Sequence, residues 1–344
     1  MKPRVTTSSR KNRFLIRFAV AVSLLVICVF IQACTRTDNK PSGPPEMIRI
    51  ANIIPPFTAP VDVAELHGYY RQEGLAVTMQ KYPYGLIALQ AVLEGKADFA
   101  TVAETPIMLA IMNGEKISII ATIQTSSKNN AIIARKDRIS TPSDLKGKKI
   151  AATFDTISEF FMDSVLALNG ISKSDMKVIN LKPAAMYAAL ANGDIDAAST
   201  WNPPLMDMQK KLGSRGITFH NEDMYTQSIS IVAKQEYIQA NPEKVRKLLR
   251  ALVSAEAFIR INPAEAQKNV ADFNHMDVEM LREMWVGNNY TVALNQSLIL
   301  ALEDESDWAI KRGLTGMTKI PNYLDFIYFD GLKSVKPGAV RILR

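Results

Sequence analysis

Apolar residues recur with two different periods along this chain. Short β-branched runs, such as residues 47–53 and 117–124, predict buried strands. Runs whose apolar positions lie three or four residues apart, such as 61–72, predict helices. Beyond Asn241-Pro242 the pattern is mostly helical as far as Trp308. The alternation of strands and helices before that point predicts an α/β fold, with a largely parallel sheet covered by helices on both faces.

The other predicted elements continue this alternation. Asn241 and Pro242 are residue types that cap and begin a helix. The apolar pattern predicts helices at 88–93, 105–112, 156–168 and 184–191, and strands at 76–82, 131–134, 149–152, 177–181 and 229–233. We expect the strands at 131–134 and 229–233 to cross between two parts of the molecule.

One short segment occurs twice. Residues 95–106 (GKADFATVAETP) and 193–204 (GDIDAASTWNPP) share glycine, aspartate, alanine, a hydroxyl and proline at the same spacing, 98 positions apart (193 − 95). Each copy follows an alanine-rich helical run and predicts a turn, a short buried strand and a new helix. Two copies of one unit predict two similar α/β lobes with a ligand between them. We expect lobe 1 at 47–130 and 230–344, and lobe 2 at 131–229.

The loops that follow the strands are where a ligand is expected. In open α/β sheets ligands lie beyond the carboxyl ends of the strands, and the next helix presents free N–H groups there. Five such loops carry hydroxyls, amides and aromatic rings but no lysine, arginine or histidine. The candidate ligand-binding residues are Phe57, Glu104, Thr105, Gln124, Ser126, Thr153, Asp155, Thr156, Trp201 and Asn202.

Several of these residues have a purely structural alternative. Thr105 and Thr156 could cap helices, and Glu104 could complement a helix dipole in the first turn. Trp201 could belong to the core, although its place beside Asn202 at a strand end favours the ligand.

The sequence contains no recognisable catalytic or metal-binding motif. Its two cysteines, Cys28 and Cys34, precede the predicted lobes, and its three histidines lack the spacing of metal ligands. Ser126-Ser127-Lys128 offers a nucleophile and a base but no third group. Neither an enzyme, a metal nor a cofactor is therefore predicted.

The positive charge is concentrated at the N-terminus. The formal net charge is +7, and six lysines and arginines precede Cys34 with no acidic residue among them, which leaves 7 − 6 = +1 for the rest. Because the remainder is nearly neutral, nucleic-acid binding is not expected.

The first 34 residues have the pattern of an export signal. A basic region precedes an apolar run at 18–30, and Ile31-Gln32-Ala33-Cys34 resembles the bacterial lipobox. This resemblance implies removal of residues 1–33, attachment of a lipid such as palmitate to Cys34, and a polar tether at 34–46 outside a bacterial membrane. Two alternatives stay open: a signal anchor at 14–33, which Arg17 interrupts, and an ordinary cleaved signal.

Four motifs in order carry a family resemblance: 63–75 (VAELHGYYRQEGL), 144–151 (DLKGKKIA), 193–204 and 241–245 (NPEKV). They resemble the nitrate/sulfonate/taurine branch of the periplasmic substrate-binding proteins of ABC transporters. The resemblance implies a monomer with a bilobal type II fold and two hinge strands, which closes on a small solute and docks on a permease with an ATPase. It places the ligand loops on the candidate residues already named.

Glu104 departs from the sulfonate-type members, which more often carry a small or shorter polar residue there. An acidic group leaves room for an amino-sulfonate, a pyrimidine or another amine. Two other functions remain open: a sensory lipoprotein of the same fold, and an enzyme similar to thiamine-pyrimidine synthase. The latter relies on a cysteine-rich iron motif, and no cysteine follows Cys34.

Overall fold

The structure is a computed structural model that describes residues 43–54, 56–221 and 225–343. The predicted signal at 1–33, the lipidation site Cys34 and most of the tether lie outside these residues. Within the described part of the chain, no helix combines the length and apolarity needed to cross a membrane.

The first part of the chain alternates strands and helices. Its strands are β1 (Glu46–Ile53), β2 (Leu75–Tyr82), β3 (Phe99–Ala103) and β4 (Ile117–Ser126). Its helices are α1 (Ala59–Leu66), α2 (Tyr69–Gln72), α3 (Gly85–Leu93) and α4 (Glu104–Met112). The run predicted as one helix at 61–72 is two helices, because Gly68 takes a left-handed conformation (φ 67°) between them.

The middle part repeats this plan. Its strands are β5 (Asn130–Arg135), β6 (Lys149–Ala152), β7 (Lys177–Asn180), β8 (Ala197–Trp201) and β9 (Gly216–Phe219). Its helices are α5 (Ile157–Leu168), α6 (Pro183–Asn192) and α7 (Pro204–Leu212). Strand β9 was not predicted, because its four residues are too short for a clear period.

The last part adds one strand to the first sheet and a group of helices. The long strand is β10 (Gln227–Lys234), and a small pair is formed by β11 (Leu294–Asn295) and β12 (Val340–Arg341). The helices are α8 (Gln235–Ala240), α9 (Pro242–Ile261), α10 (Pro263–Phe273), α11 (Val278–Trp285), α12 (Gln296–Arg312) and α13 (Phe329–Val335). Helix α9 begins at Pro242 as predicted, but the side chain of Asn241 bonds the Tyr237 carbonyl instead of capping the helix.

Two five-stranded sheets define the two lobes. Their strand orders are β2-β1-β3-β10-β4 in lobe 1 and β7-β6-β8-β5-β9 in lobe 2. The predicted bilobal α/β architecture is confirmed, but neither sheet is as parallel as expected. Strands β10 and β5 are antiparallel to both of their neighbours, because each enters its sheet from the other lobe.

The first connection between the lobes, residues 127–129, is a bend outside both sheets. The predicted crossing strands correspond to β5 and β10, but β5 lies wholly in the sheet of lobe 2 and β10 wholly in that of lobe 1. The chain passes from the sheet of lobe 1 to that of lobe 2 between Ser126 and Asn130, and returns between Phe219 and Gln227. Each of these strands therefore satisfies its backbone groups within one sheet, and neither is shared between the lobes.

The repeated segment has the same structure in both lobes. Gly95 and Gly193 are left-handed, with φ of 72° and 80°. Asp98 accepts a hydrogen bond from the Arg49 N–H at 2.7 Å, and Asp196 accepts one from the Lys149 N–H at 2.9 Å. Each aspartate therefore ties the turn before the central strand, β3 or β8, to the neighbouring strand.

A group of charged and aromatic residues joins the lobes beside the sheets. Trp308 and Arg312 on α12 contact Asp163 on α5, with Arg312 Nε 2.9 Å from Asp163 Oδ2. Lys173 of lobe 2 lies 3.0 Å from Glu159 and 3.5 Å from Asp163. We call these five residues the interlobe bridge.

Candidate functional site

A cavity of about 490 Å³ lies between the two lobes. Lobe 1 contributes the ends of β1 and β3, the start of α3 and residues around α11, including Ile53, Phe57, Tyr84, Ala103, Met276 and Met280. Lobe 2 contributes the end of β8 and the starts of α5, α6 and α7, including Thr156, Pro183, Tyr187, Trp201, Asn202 and Lys211. The cavity thus lies at the carboxyl ends of strands, which is where open α/β sheets bind their ligands.

The walls of the cavity are mainly apolar and aromatic. The rings of Tyr84 and Trp201, from opposite lobes, lie 6.0 Å apart at an angle of 62°. Trp201 and Ile157 of lobe 2 pack into the main hydrophobic core of lobe 1. The lobes are therefore in contact along this wall.

Five helices begin at the cavity: α3, α4, α5, α6 and α7. A helix N-terminus carries partial positive charge and free N–H groups. Three of the five have proline among their first three residues, at Pro106, Pro183 and Pro204, and proline has no N–H to donate. At α5 the Thr156 hydroxyl already accepts from the Ser158 N–H, as predicted for a cap.

Helix α3 is the one that retains its full set of first-turn N–H groups. Tyr84 stands in the capping position and makes no side-chain cap bond. Gly85 lets this helix end approach β3, since a Cβ there would lie 3.2 Å from the Val102 Cα. The Gly85 and Leu86 positions both line the cavity.

Few polar side chains reach the cavity. Asp207 and Lys211 pair with each other at 2.6 Å, with about half of each side chain exposed. Asn202 is 8% exposed, and its Oδ1 has no hydrogen-bond partner among the described residues. Because this oxygen is itself enclosed, a bound molecule reaches it only after the Asn202 side chain rotates.

Four of the ten candidate residues line the cavity: Phe57, Thr156, Trp201 and Asn202. Of the other six, five make hydrogen bonds within their own lobes, whereas the buried Thr105 hydroxyl has no hydrogen-bond partner among the described residues. Gln124 donates to Asn288, and Ser126 accepts from the Lys128 N–H. Thr153 donates to the Leu181 carbonyl at 2.8 Å, and the Asp155 N–H donates to Glu159. Their part in binding stays a prediction, as does that of Glu104 and Thr105.

Glu104 is enclosed in lobe 1. Its Oε1 accepts a hydrogen bond from the Ser228 N–H of β10, and the residue is 1% exposed. Burial raises the pKa of Glu104 to about 7. Glu305 of α12 is also fully buried, and burial followed by the charge of Glu104 raises the pKa of Glu305 well above its usual value. Tyr225 donates to Glu305 at 2.8 Å.

Sequence reasoning missed several cavity residues. Tyr84 follows β2 and Pro183 follows β7, so the rule about strand ends, applied to every strand, would have found both. Tyr187 lies one helical turn beyond Pro183. Met276 and Met280 are four residues apart, a spacing that predicts one helix face but does not distinguish a cavity wall from a core.

Comparison with known proteins gives the family. The family model described as NMT1/THI5 like matches residues 56–266, more than half of the chain. The chain belongs to this family. A Brucella abortus (strain 2308) protein named as a binding protein is 25% identical over 323 residues, which cover 92% of this chain and 94% of that protein.

Two further relatives differ in their named activities. The taurine-binding periplasmic protein of Escherichia coli (strain K12) is 24% identical over 210 residues, 59% of this chain and 64% of that protein. The 4-amino-5-hydroxymethyl-2-methylpyrimidine phosphate synthase of Schizosaccharomyces pombe is 24% identical over 256 residues, 67% of this chain and 70% of that protein.

Solved structures show the same fold. The periplasmic aliphatic sulphonate binding protein of Escherichia coli matches with a TM-score of 0.70 and 18% identity, covering 83% of this chain and 98% of that chain. The periplasmic-binding-protein fold expected from the sequence is therefore confirmed.

Proposed function

We propose that this protein is the extracytoplasmic solute-binding component of an ABC importer, and that it holds its solute between the two lobes. The cavity enclosed by strand ends of both lobes carries this proposal. A solute there contacts both lobes at once, so binding stabilises the closed arrangement over an open one.

The names of the relatives support a binding role. A taurine-binding periplasmic protein and a periplasmic aliphatic sulphonate binding protein share its family or its fold. In an importer of this class the closed protein would present both lobes to a permease, whose ATPase drives transport. We therefore propose a permease and an ATPase as partners, with the binding protein acting as a monomer.

We propose further that a lipid on Cys34 anchors the protein outside the membrane. The basic region, the apolar run and Ile31-Gln32-Ala33-Cys34 support this attachment. Mass spectrometry of protein from a bacterial membrane fraction is expected to find a chain beginning at an acylated Cys34. Replacement Cys34→Ala should prevent both the acylation and the removal of residues 1–33, whereas Cys28→Ala should leave both unchanged. An unmodified Cys34 thiol would contradict the anchor.

Binding rather than catalysis is the activity that these residues support. One relative of this chain, the pyrimidine phosphate synthase of Schizosaccharomyces pombe, is named as an enzyme. Here both cysteines precede the lobes, and His67, His220 and His275 are absent from the residues that line the cavity. His67 instead packs on Phe258, with ring centroids 3.9 Å apart.

Titration calorimetry of the purified full chain tests the proposal. Solutes would be drawn from sulfonates, taurine, nitrate and pyrimidines, and each bound mixture would be analysed for chemical change. We expect one solute to bind at one site, to be recovered unchanged, and to bind at least ten times more weakly to Trp201→Ala. Turnover of the solute, or an affinity that Trp201→Ala leaves intact, would refute a binding protein that uses this cavity.

A further inference from the structure

A polar network inside lobe 1 supports one wall of the cavity. We propose that Asp62 of α1 is the positioning residue of this wall, because its carboxylate ties together three segments that line the cavity. Asp62 is fully buried and is not itself one of the lining residues. The inference rests on the proposed function, since it concerns how the wall that contacts the solute keeps its shape.

Three side chains donate hydrogen bonds to the Asp62 carboxylate. Asn52 and Lys81 donate to Oδ1 at 3.0 and 2.8 Å, and Asn274 donates to Oδ2 at 2.9 Å. These donors belong to three separate segments, namely β1, β2 and the corner between α10 and α11 at residues 274–277. A buried carboxylate is stable only when it is paired and hydrogen-bonded. The carboxylate therefore holds the three segments at fixed positions relative to one another.

Two of the donors lie at strand ends that form the cavity wall. Asn52 directly precedes Ile53, which lines the cavity. Lys81 is the next-to-last residue of β2, and Pro83 and Tyr84, which also line the cavity, follow within three positions. Consecutive Cα atoms lie about 3.8 Å apart, so the bonds that fix these two donors also limit the movement of the lining residues.

The third donor, Asn274, holds the corner between α10 and α11. The next residue, His275, has a left-handed backbone (φ 53°), which is costly for a residue with a Cβ. Met276 follows it and lines the cavity, as does Met280 one helical turn later on α11. The bond from Asn274 to Asp62 therefore stabilises a strained turn that places two methionines on the wall.

An aspartate suits this place better than its amide does. A carboxylate only accepts hydrogen bonds, and all three of its partners are donors. In Asp62→Asn one oxygen becomes an NH₂ group that faces either Asn274 or the other two donors. At least one hydrogen bond is then lost, although the volume of the side chain is nearly unchanged. Asp62→Asn thus tests the positions of the wall without removing packing atoms.

Methionine methyl NMR of the solute-free full chain tests the placement of the wall. The signals of Met276 and Met280 would be assigned by replacing each with leucine. We expect both signals to shift in Asp62→Asn and in Asn274→Ala, because each variant releases the corner from α1. Asp98→Asn is the matched control, since it weakens bonds of the same kind before the start of β3, away from the cavity. Signals that move no more in Asp62→Asn than in this control would overturn the positioning role.

Calorimetry with the solutes named above, taurine among them, relates the wall to binding. We expect the solute to bind about ten times more weakly to Asp62→Asn, and with unchanged affinity to Asp98→Asn, at a temperature where both remain folded. The double variant of Asp62→Asn and Asn274→Ala should bind no more weakly than Asp62→Asn alone, because both changes break the same bond.

The outcomes separate this inference from the proposed function. If the two losses of affinity add, or if Asp98→Asn weakens binding as much as Asp62→Asn, then Asp62 acts only through overall stability and the inference is wrong. If no solute binds the unaltered protein, the proposed function fails. The methionine signals then decide by themselves whether Asp62 places this wall.

Discussion

The indole nitrogen of Trp308 in lobe 1 donates a hydrogen bond to Oδ2 of Asp163 in lobe 2, at 3.0 Å. The Trp308 ring also contacts Phe160, which lies one turn earlier on α5. The same helix begins at Thr156 and Ile157 on the cavity wall. Closure of the lobes is therefore supported by α5 at two places, in the cavity and at the interlobe bridge.

The interlobe bridge should favour the closed arrangement without a solute. Trp308→Phe keeps a ring against Phe160 but removes the bond to Asp163. A hydrogen bond to a charged group contributes about 1.5–3 kcal/mol, so we expect a shift of at least about tenfold towards open lobes. Small-angle X-ray scattering should show a larger radius of gyration for the solute-free variant.

Arg312→Gln should open the lobes further than Trp308→Phe. It leaves the buried Glu159 and the partly buried Asp163 with Lys173 as their one remaining ion-pair partner in the bridge. Trp285→Phe is the control, since its indole takes no part in the bridge. A radius of gyration that is the same for all four proteins would contradict a role of the bridge in closure.

Stability should fall as the pH rises from about 4.5 to about 7. Glu104 and Glu305 have pKa values raised above the ordinary 4.5, so the folded state binds more protons than the unfolded state in this window. The free energy of unfolding then decreases with pH, by about 3 kcal/mol for Glu104 alone. Glu104→Gln should remove that part of the slope.

Urea unfolding at a series of pH values measures this slope. Glu283→Gln is the matched control, because that carboxylate is about half exposed. If the Glu104→Gln and Glu283→Gln proteins keep the same pH slope as the unaltered protein, then Glu104 is not the titrating group.

Asp98 and Asp196, the aspartates of the repeated segment, should contribute similar amounts to the stability of their respective lobes. Asp98→Asn and Asp196→Asn each weaken bonds to a strand N–H and to an arginine, Arg49 or Arg138. We expect each change to lower the free energy of unfolding by about 1–3 kcal/mol. Thermal unfolding measures it, with the exposed Asp137→Asn as control. If only one of the two variants lowers the free energy of unfolding, the two copies of the repeated segment do not contribute equally to stability.

Much of the fold could be predicted because the repeated segment indicates the same turn, strand and helix in each lobe. The turn glycine, the aspartate and the buried strand recur in one spacing, and the structure gives both copies one register. Ile50 pairs with Phe99 in lobe 1, and Ile150 pairs with Ala197 in lobe 2. The direction of β5 and β10 was missed, since the apolar pattern of a strand does not record whether its neighbour runs parallel or antiparallel.

The site was harder to predict than the fold. Trp201 and Asn202 were found because they follow a strand directly. Glu104 follows the equivalent strand, but its side chain points into lobe 1 and contacts Ser228. That residue lies 124 positions later in the chain. A sequence pattern fixes where a backbone position lies, whereas the direction of a side chain depends on partners from distant segments.

The insertion of β10 between β3 and β4 sets an order in which the molecule can assemble. Ala103 pairs with Ile229, 126 residues later (229 − 103), so the sheet of lobe 1 stays incomplete until most of the chain is present. The first and last strands of lobe 2 are direct neighbours, with Ile132 paired to Phe219. Distant pairings form slowly because a long loop must close first. Pulsed hydrogen exchange during refolding should therefore protect β5 and β8 before β3 and β10.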